Sequence, residues 1–277
     1  MNIAYEKITD RLIKAMEDGV NPWKKTWKAV RDGKIPHNFA SGRNYSGSNL
    51  IMLSCMPFTN AGYVTYNQAK KLGGSVSKGQ KGTPIVFWSK IEKKQPNGEI
   101  REGWFLKCYT VFNVEQCEGL DLSKAGTIEE VSESIPHEIL GQYIEKNKIT
   151  LNHGGDSAYY SPTFDRIQMP HQQGFDIEEH YQAVLAHEII HSTGHESRLK
   201  RFKENDQDYN SGKESYSFEE LVAEIGSCFL LGQMKIEPDW DNSASYLKGW
   251  AKYLTDNKEA FVKASGKATK AVALVTE

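Results

Sequence analysis

Residues 184–199 read VLAHEIIHSTGHESRL, in which two histidines stand four positions apart and a glutamate follows the first. In an α-helix, positions i and i+4 lie on one face, so His187 and His191 can turn their imidazoles toward one ion. Glu188 lies one step around the helix, where it is expected to take a proton from water at the metal. The spacing therefore predicts a metal-dependent hydrolase with His187 and His191 as ligands and Glu188 as the catalytic residue.

A catalytic zinc site needs a third protein ligand and an open coordination position. One known solution is a histidine six residues after the second, but Ser197 occupies that position here. His195 is four residues from His191 but follows a glycine, which breaks the helical pattern. We interpret it as a loop histidine rather than a ligand.

The other solution is a glutamate on a following helix, as in gluzincins. The segment FEELVAEIGS supplies Glu219, Glu220 and Glu224. Glu220 and Glu224 share one helix face, so Glu220 is predicted to bind the metal and Glu224 to accept a hydrogen bond from a ligand histidine. Glu219 is expected to point elsewhere as a solvated charge. Glu224 lies within LVAEIGSCFLL, where an unpaired acid would be costly, so a purely solvent-exposed acidic face is disfavoured.

The segment before the motif helix predicts elements that bind a peptide. DRIQMP, Asp165 to Pro170, is expected to be an edge strand that holds an extended peptide by backbone pairing. A developing oxyanion needs a hydrogen-bond donor, and the sequence does not choose among the tyrosines that could supply it. These are Tyr159, Tyr160 and Tyr216.

The whole-chain composition is that of a soluble globular protein, with 39% hydrophobic and 25% charged residues among 277. There is no run of eighteen apolar residues and no secretory signal, so a cytoplasmic protein without a membrane partner is expected. The four cysteines form no C-x-x-C pair and are interpreted as free thiols. Residues 1–125 hold 19 Lys+Arg against 11 Asp+Glu, whereas the remaining residues hold 15 against 25. This asymmetry indicates two units with different partners.

The pattern of elements predicts an α+β protein with two domains, 1–122 and 135–277, joined by a polar linker at 123–134. In the first domain we expect an N-terminal amphipathic helix, a loop-rich region from NPWKKTW to SGRNYSGSN, a helix near 65–72 and a β-hairpin. In the second we expect a helix, two short strands, the motif helix and further helices to the C-terminus.

The basic half offers cations interleaved with aromatic side chains, which is the chemistry of single-strand binding. The glycines of SVSKGQKGTP allow backbone N–H groups to approach a phosphate. No clear recognition helix is visible, so single strands are favoured over duplex DNA. The predicted DNA-binding residues are Trp23, Lys24, Lys25, Arg43, Tyr45, Lys78 and Lys81.

Several segments in the same order resemble ArdC-type antirestriction proteins. AYYSPTFDRIQMP, YQAVLAHEIIHSTGHESRLKR and SFEELVAEIGSCFL resemble the metallopeptidase domain of that family. GRNYSGSNLIML, GYVTYNQAKKLGGSVSKGQKGTPIVFW and VFNVEQCEGL resemble its N-terminal single-stranded-DNA-binding domain. The resemblance implies a zincin-like domain of the gluzincin type and a mobile-element origin. His187, Glu188 and His191 match the family's H-E-x-x-H, and the third ligand is carried over to Glu220, although Glu224 also fits.

The sequence thus leads to one main hypothesis and two alternatives. The main hypothesis is a zinc metallopeptidase that binds single-stranded DNA and acts on DNA-associated proteins, with another divalent ion such as Mn²⁺ as the alternative metal. The first alternative is a protein that shields single-stranded DNA and whose metal site is structural or idle. The second is a metal site that hydrolyses something other than peptide.

Overall fold

The N-terminal half consists of short helices around a long β-hairpin. The protein is described by a computed structural model that covers residues 3–94, 100–128, 135–202, 217–239 and 244–277, with the backbone alone at 91–94, 100–104 and 122. The elements of this half are α1 (Ile3–Glu17), α2 (Pro22–Arg31), β1 (His37–Asn38), α3 (Gly47–Ser54), β2 (Gly62–Val64), α4 (Tyr66–Lys71), β3 (Ser75–Val76), β4 (Thr83–Lys94), β5 (Ile100–Asn113) and β6 (Cys117–Glu118).

The C-terminal half packs a small sheet against helices, which confirms the predicted α+β class. The predicted helices are confirmed, and so are the two short strands before the motif helix, while a further strand at Thr150–His153 was not predicted. The elements are α5 (Ile139–Lys146), β7 (Thr150–His153), β8 (Tyr159–Ser161), β9 (Arg166–Met169), α6 (Glu178–Ser192), α7 (Phe218–Met234), α8 (Ala244–Asp256) and α9 (Ala260–Thr276).

The larger sheet runs in the order β1-β2-β5-β4, so β4 forms one of its edges. Antiparallel pairing of β4 with β5, from Thr83↔Val111 onward, confirms the predicted hairpin. Asn49 on α3 donates to the Val86 carbonyl and accepts from the Val86 N–H, both at 2.8 Å. This side chain occupies backbone groups that an edge strand otherwise leaves open, and it fixes α3 beside the hairpin.

The segment NPWKKTW is helical, which corrects the prediction of a loop. Pro22 opens α2, and the Asn21 side chain accepts hydrogen bonds from the backbone N–H groups of Trp23 and Lys24 at 3.0 and 3.1 Å. An asparagine cap followed by proline at the first helical position satisfies two donors that a helix start leaves unpaired. The Asn-Pro pair is therefore a helix start here rather than a turn.

The small sheet runs in the order β7-β9-β8, which corrects the prediction for DRIQMP. β9 pairs in parallel with β7 and antiparallel with β8, so both of its edges are occupied by backbone hydrogen bonds. A central strand has no free edge on which an extended peptide can pair. Among the described residues, the open edges of this sheet belong to β7 and β8.

The two halves share one hydrophobic core. α2 packs along α7, where the Trp27 indole N–H donates to the Ile236 carbonyl at 2.6 Å. The Cys228 thiol donates to the Trp23 carbonyl at 3.0 Å, and Trp23 meets Trp250 edge-on with ring centroids 6.3 Å apart. Apolar residues of α1, α2 and α3 belong to the same buried cluster as those of α6 to α9. The core therefore does not divide at the predicted linker.

The described part of the predicted linker, 123–128, and the first residue after the linker are attached to the fold. The Gly126 N–H donates to the Phe39 carbonyl, and the Ile135 N–H donates to the Gln233 carbonyl. Gly42 has a φ of +74°, and a Cβ there would lie 1.7 Å from the Thr127 carbonyl oxygen, so only glycine fits beneath this segment. Residues 129–134 lie outside the described residues. Within the described part of the chain, no helix has both the length and the apolar composition needed to cross a membrane.

Candidate metal centre

The structure brings together the three residues predicted as metal ligands. The Nε2 atoms of His187 and His191 lie 3.1 Å apart. The two carboxylate oxygens of Glu220 lie 3.4 Å from His187 Nε2 and 3.3 Å from His191 Nε2. Nitrogen and oxygen ligands around a tetrahedral zinc ion are separated by about 3.3 Å, given bond lengths of ~2.0–2.1 Å. The donor atoms are thus of the right type and spacing to hold a divalent ion.

The position of Glu220 follows from how α7 begins and where it crosses α6. The Ser217 side chain caps α7 by accepting a hydrogen bond from the Glu220 N–H at 3.2 Å. Further along, a Cβ on Gly226 would lie 2.7 Å from Ile190 Cγ2. This glycine lets the two helices approach closely, one residue before His191, and so brings the ligands of both helices to one point.

Buried charges surround the ligand atoms. Burial alone would lower the pKa of His191, but hydrogen bonds to Glu219 and Glu220 raise it to about 10. Burial would raise the pKa of Glu220, but hydrogen bonds from both histidines hold it well below its usual range. The same site stabilises a positive charge, either as protons on the histidines or as a metal cation in their place.

Glu219 is buried rather than solvated, which corrects the sequence interpretation. Its side chain is 4% exposed, and its Oε1 lies 3.5 Å from His191 Nδ1. The Arg201 guanidinium, 2% exposed, binds both oxygens of Glu219 at 2.6–3.2 Å and also donates to the Thr193 hydroxyl and the Ile190 carbonyl. The carboxylate behind a ligand histidine is therefore Glu219, held by Arg201.

Glu224 has a partner that the sequence did not predict. Its carboxylate is bonded to Tyr246, and it acts on His187 through its charge. Burial raises the pKa of Glu224, with smaller opposing effects from His187 and Tyr246. No sequence spacing links Tyr246 to Glu224, because the two residues lie on different helices.

A cavity of about 420 Å³ opens beside the metal centre. Glu188 is only 7% exposed and lines this cavity together with His187, as expected for a general base next to bound water or substrate. The rest of the wall is mostly apolar, with two carboxylates and a tyrosine among the polar groups. Its other lining residues are Phe175, His180, Ala183, Val184, Glu224, Ser227, Cys228, Leu231, Pro238, Asp239 and Tyr246.

The other residues singled out around the motif have different surroundings. His195 lies in the turn after α6 and bonds to the Ser197 hydroxyl at 2.8 Å, away from the ligand atoms. The Tyr160 hydroxyl donates to Asp165 at 2.7 Å and is buried, so it is not free to bind an oxyanion. Tyr159 is 44% exposed on the edge strand β8, and Tyr216 lies outside the described residues.

Of the predicted DNA-binding residues, the two aromatic ones are buried and the five basic ones are exposed. Trp23 is fully buried against Trp250, so its assignment as a base-stacking ring is corrected to a core residue. Tyr45 is 6% exposed and contacts Phe87. The basic residues all lie at the surface, and they are Lys24, Lys25, Arg43, Lys78 and Lys81. Among the described residues, the most exposed aromatic rings of the N-terminal half are Tyr66, Phe87, Trp88 and Tyr109. Phe87 and Trp88 belong to the basic, aromatic pattern seen in the sequence, whereas Tyr66 and Tyr109 were not singled out by it.

Known proteins share both the sequence and the fold of this chain. Residues 2–112 match the model of the N-terminal domain of anti-restriction factor ArdC, and residues 138–267 match that of a zincin-like metallopeptidase. The crystal structure of the metal-free antirestriction ArdC protein from plasmid R388 is 35% identical, with a TM-score of 0.70 over 98% of this chain and 96% of that one. The chain belongs to the ArdC antirestriction family. The Mn(II)-bound structure of the R388 protein is 36% identical, with a TM-score of 0.72.

Three further relatives are similar to this ArdC-type chain, and two of them are much longer proteins. DNA primase TraC of Escherichia coli is 32% identical over 287 residues, which cover 96% of this chain and 26% of that protein. A second TraC is also 32% identical, with 19% of its length covered. The chain thus spans about a quarter or less of the TraC relatives. Protein y4eC of Sinorhizobium fredii is 30% identical and is covered over 88% of its length.

Proposed function

We propose that this ArdC-type protein is a metallopeptidase that acts on proteins associated with single-stranded DNA. The observation that carries the proposal is the convergence of three ligand atoms beside the buried Glu188, at a cavity with an apolar wall. If this protein and its substrate protein are bound to the same DNA strand, the local concentration of substrate at the metal centre is high, so cleavage needs only weak recognition of the peptide itself.

The residues of the chain have separable roles in this hydrolysis. His187, His191 and Glu220 would hold a divalent cation, which supplies Lewis-acid chemistry by polarising the scissile carbonyl and acidifying water. Glu188 faces the cavity, takes up the proton of the attacking water and returns it to the leaving amine. Glu219 orients His191, and Arg201 balances the charge of Glu219 in the protein interior.

We propose the identity of the metal from the donor atoms of this site and from the metal bound to the R388 ArdC protein. Two imidazoles and one carboxylate form a set that binds zinc in hydrolases. The R388 ArdC protein has been crystallised with Mn(II), so this chain is also proposed to accept Mn²⁺. Mixed nitrogen and oxygen donors accommodate both ions.

Proteolysis on a gel tests the proposal. Purified protein, loaded with Zn²⁺ or Mn²⁺ and assayed for metal content, is incubated with casein or with a histone mixture, with and without oligo(dT). We expect cleavage of the DNA-binding histones to be stimulated by oligo(dT). Glu188→Gln should lower the rate by roughly 10²–10⁴-fold, the usual contribution of a general base. Glu179→Gln, on the exposed first turn of the same helix, is the matched control and should cleave like the wild type.

The outcomes separate the proposal from its alternative. Cleavage that is independent of Glu188 would indicate a contaminating protease. If the metal-loaded protein binds oligo(dT) but cleaves neither substrate, the DNA-shielding alternative is favoured over the peptidase.

A further inference from the structure

A groove lies where the two halves of the molecule meet, on the side of β4. The sequence predicted two of its residues, Arg43 and Tyr45, but not the groove itself. Its volume is about 870 Å³. We call it the shared groove, because one wall is α9 and the others are the loop before α3, the start of α3 and the β4–β5 hairpin. Its lining residues are Asn38, Ser41, Arg43, Asn44, Tyr45, Ser46, Gly47, Ser48, Asn49, Thr65, Ile85, Val86, Phe87, Trp88, Tyr109, Val262, Gly266, Thr269 and Lys270.

Aromatic rings are presented to solvent along this groove. Phe87, Trp88 and Tyr109 are 45%, 53% and 43% exposed. Phe87 and Tyr109 are diagonal neighbours across β4 and β5 with ring centroids 5.9 Å apart, and Tyr45 lies 6.4 Å from Phe87 on the other side. A contiguous patch of exposed apolar side chains marks a binding surface more often than singly exposed ones do. Phe87 and Tyr109 lie on one face of the hairpin and can act as a stacking platform, as in single-strand-binding surfaces, while Trp88, the next residue of the edge strand β4, points to the opposite face and also lines the groove.

The charge of the groove is positive. Among the described residues that line it, two are basic, Arg43 and Lys270, and none is acidic, although acidic residues outnumber basic ones in the chain by 36 to 34. The first turn of α3 also faces the groove, and the side chain of its N-cap Ser46 makes no capping hydrogen bond. Helix N-termini favour phosphate oxygens, so this turn adds to the two cations as a partner for a nucleic-acid backbone.

The C-terminal half forms one wall directly. α9 supplies Val262, Gly266, Thr269 and Lys270 to the groove. A Cβ on Gly47, at the start of α3, would lie 3.7 Å from the Thr269 hydroxyl, so the loop before α3 rests on α9 without a gap. The groove is therefore complete only when both halves are present.

We infer that the shared groove is the single-stranded-DNA site of this protein, with Phe87, Trp88 and Tyr109 as base platforms and with Arg43 and Lys270 as phosphate partners. This inference rests on the proposed function, which supplies the DNA ligand. It moves the site away from Lys24, Lys25, Lys78 and Lys81, which do not line the groove. It also assigns part of DNA binding to Lys270, a residue of the half that carries the metal centre.

Fluorescence anisotropy with labelled oligo(dT) tests the site on the full-length protein. We expect Trp88→Ala to weaken binding by roughly 5- to 100-fold, as removal of one stacked base does elsewhere. Lys270→Ala should lower the slope of log K against log salt by about 0.7, the value for one phosphate contact on a single strand. The matched controls are Tyr66→Ala, an aromatic 50% exposed on α4, and Lys24→Ala, an exposed lysine on α2, and both should bind like the wild type.

Ultraviolet cross-linking of oligo(dT) to the wild-type protein gives a second readout that does not depend on variants. Mass spectrometry should place the cross-links on the aromatic residues of β4 and β5 that line the groove. Equal losses in the groove variants and in their controls, or cross-links confined to α2 and the loop around Lys78, would overturn the groove while leaving DNA binding in place. If the wild type binds no oligo(dT) even at low salt, both the groove and the proposed DNA-directed function fail.

Discussion

Glu219 lies at the Nδ1 side of His191, opposite the Nε2 atom that faces Glu220. It is linked to His191 on one side and to the buried Arg201 on the other. In a buried chain of this kind, each charge is tolerated because its neighbour compensates it, and removal of one partner leaves an unpaired charge in the protein interior. The stability of the fold and the affinity for metal are therefore connected through this carboxylate.

Replacement of Glu219 tests this connection. Glu219→Gln keeps the side-chain volume but leaves Arg201 without its counter-charge, so we expect a loss of about 3–5 kcal/mol in unfolding free energy. Metal affinity should fall by roughly 10- to 100-fold, because the support of His191 is lost. Urea unfolding and competition with a metal chelator measure the two effects. Glu224→Gln is the comparison variant, since Glu224 is half-buried on the same helix but bonded to Tyr246, and a loss of metal affinity as large as that of Glu219→Gln would contradict the assignment.

Metal binding should compete with protons at the ligand histidines. The pKa of His191 is raised to about 10 in the metal-free protein, and that of His187 is also raised. At neutral pH the metal must displace a proton, so affinity should increase as the pH rises toward 10 and decrease as it falls. One displaced proton corresponds to about a tenfold change in affinity per pH unit. Isothermal titration in two buffers of different ionisation enthalpy counts the released protons, and an affinity that is flat between pH 6 and 8 would contradict this expectation.

The ligand set could be predicted from the sequence, but the residues that support it could not. His187 and His191 follow helical spacing, and Glu220 follows from the need for a third ligand on a nearby helix. Glu219 was misassigned because its neighbour Glu220 takes the metal-facing position, and helical spacing then points Glu219 away from the site. Its partner Arg201 lies in a turn after α6, where no periodicity constrains the direction of a side chain.

The crossing of α6 and α7 is the element on which the metal centre depends. Two ligands lie on one helix and the third on the other, and Gly226 permits their close contact at Ile190. Any side chain at this position must either displace Ile190 or separate the helices. The geometry of the ligands is therefore sensitive to a change that is distant from the ligand atoms themselves.

Gly226→Ala is expected to destabilise the protein by about 1–3 kcal/mol, as overpacking of a core does. It should also weaken metal binding, because the third ligand moves relative to the histidine pair. Gly141→Ala on α5 is the control, since nothing lies within 4 Å of a Cβ there. This change should leave metal affinity unchanged and stabilise the fold by about 0.5–1 kcal/mol through helix propensity. Thermal melts with and without metal compare the two variants, and equal metal affinities would show that the crossing does not position the ligands.

Most helices and strands could be predicted from local sequence patterns, whereas the contacts between them could not. Apolar spacing predicted α1 and the helices of the C-terminal half, and alternation with aromatic enrichment predicted the β4–β5 hairpin. The helix α2 was missed because its tryptophans and lysines resembled an exposed basic loop, although the Asn21-Pro22 pair was the available signal. The central position of β9 depends on parallel pairing with β7, a non-local contact that no local pattern contains.

At the scale of the molecule, charge and composition predicted two domains joined by a linker, which agrees with the two family models, and the structure packs both domains on one core. The basic first half and the acidic second half are real features of the sequence. Burial nevertheless places Trp23 and Trp27 of the first half against α7 and α8 of the second, and a Cβ on Gly232 would lie 2.9 Å from Val30. Charge asymmetry describes the surface of a protein, whereas the packing of apolar side chains decides whether two parts of the chain share a core.

A shared core implies that the two halves unfold together and that metal stabilises both. Binding to the native state alone adds about 2.7 kcal/mol at a metal concentration of ~100 times Kd. We therefore expect one unfolding transition, and we expect metal to slow hydrogen exchange equally for the slowest amides of α2 and of α7. Hydrogen-exchange mass spectrometry with and without Zn²⁺ measures these exchange rates. Glu220→Gln, which lacks the third ligand, is the control, and adding metal to it should slow exchange in α2 much less. Protection confined to α6 and α7, with exchange in α2 unchanged, would mean that the halves open independently. Lys270 of the shared groove would then lie outside the part of the protein that the metal stabilises, so a bound strand could not affect the metal centre through the fold. Joint protection of α2 and α7 would instead place the shared groove and the metal centre in one cooperative unit.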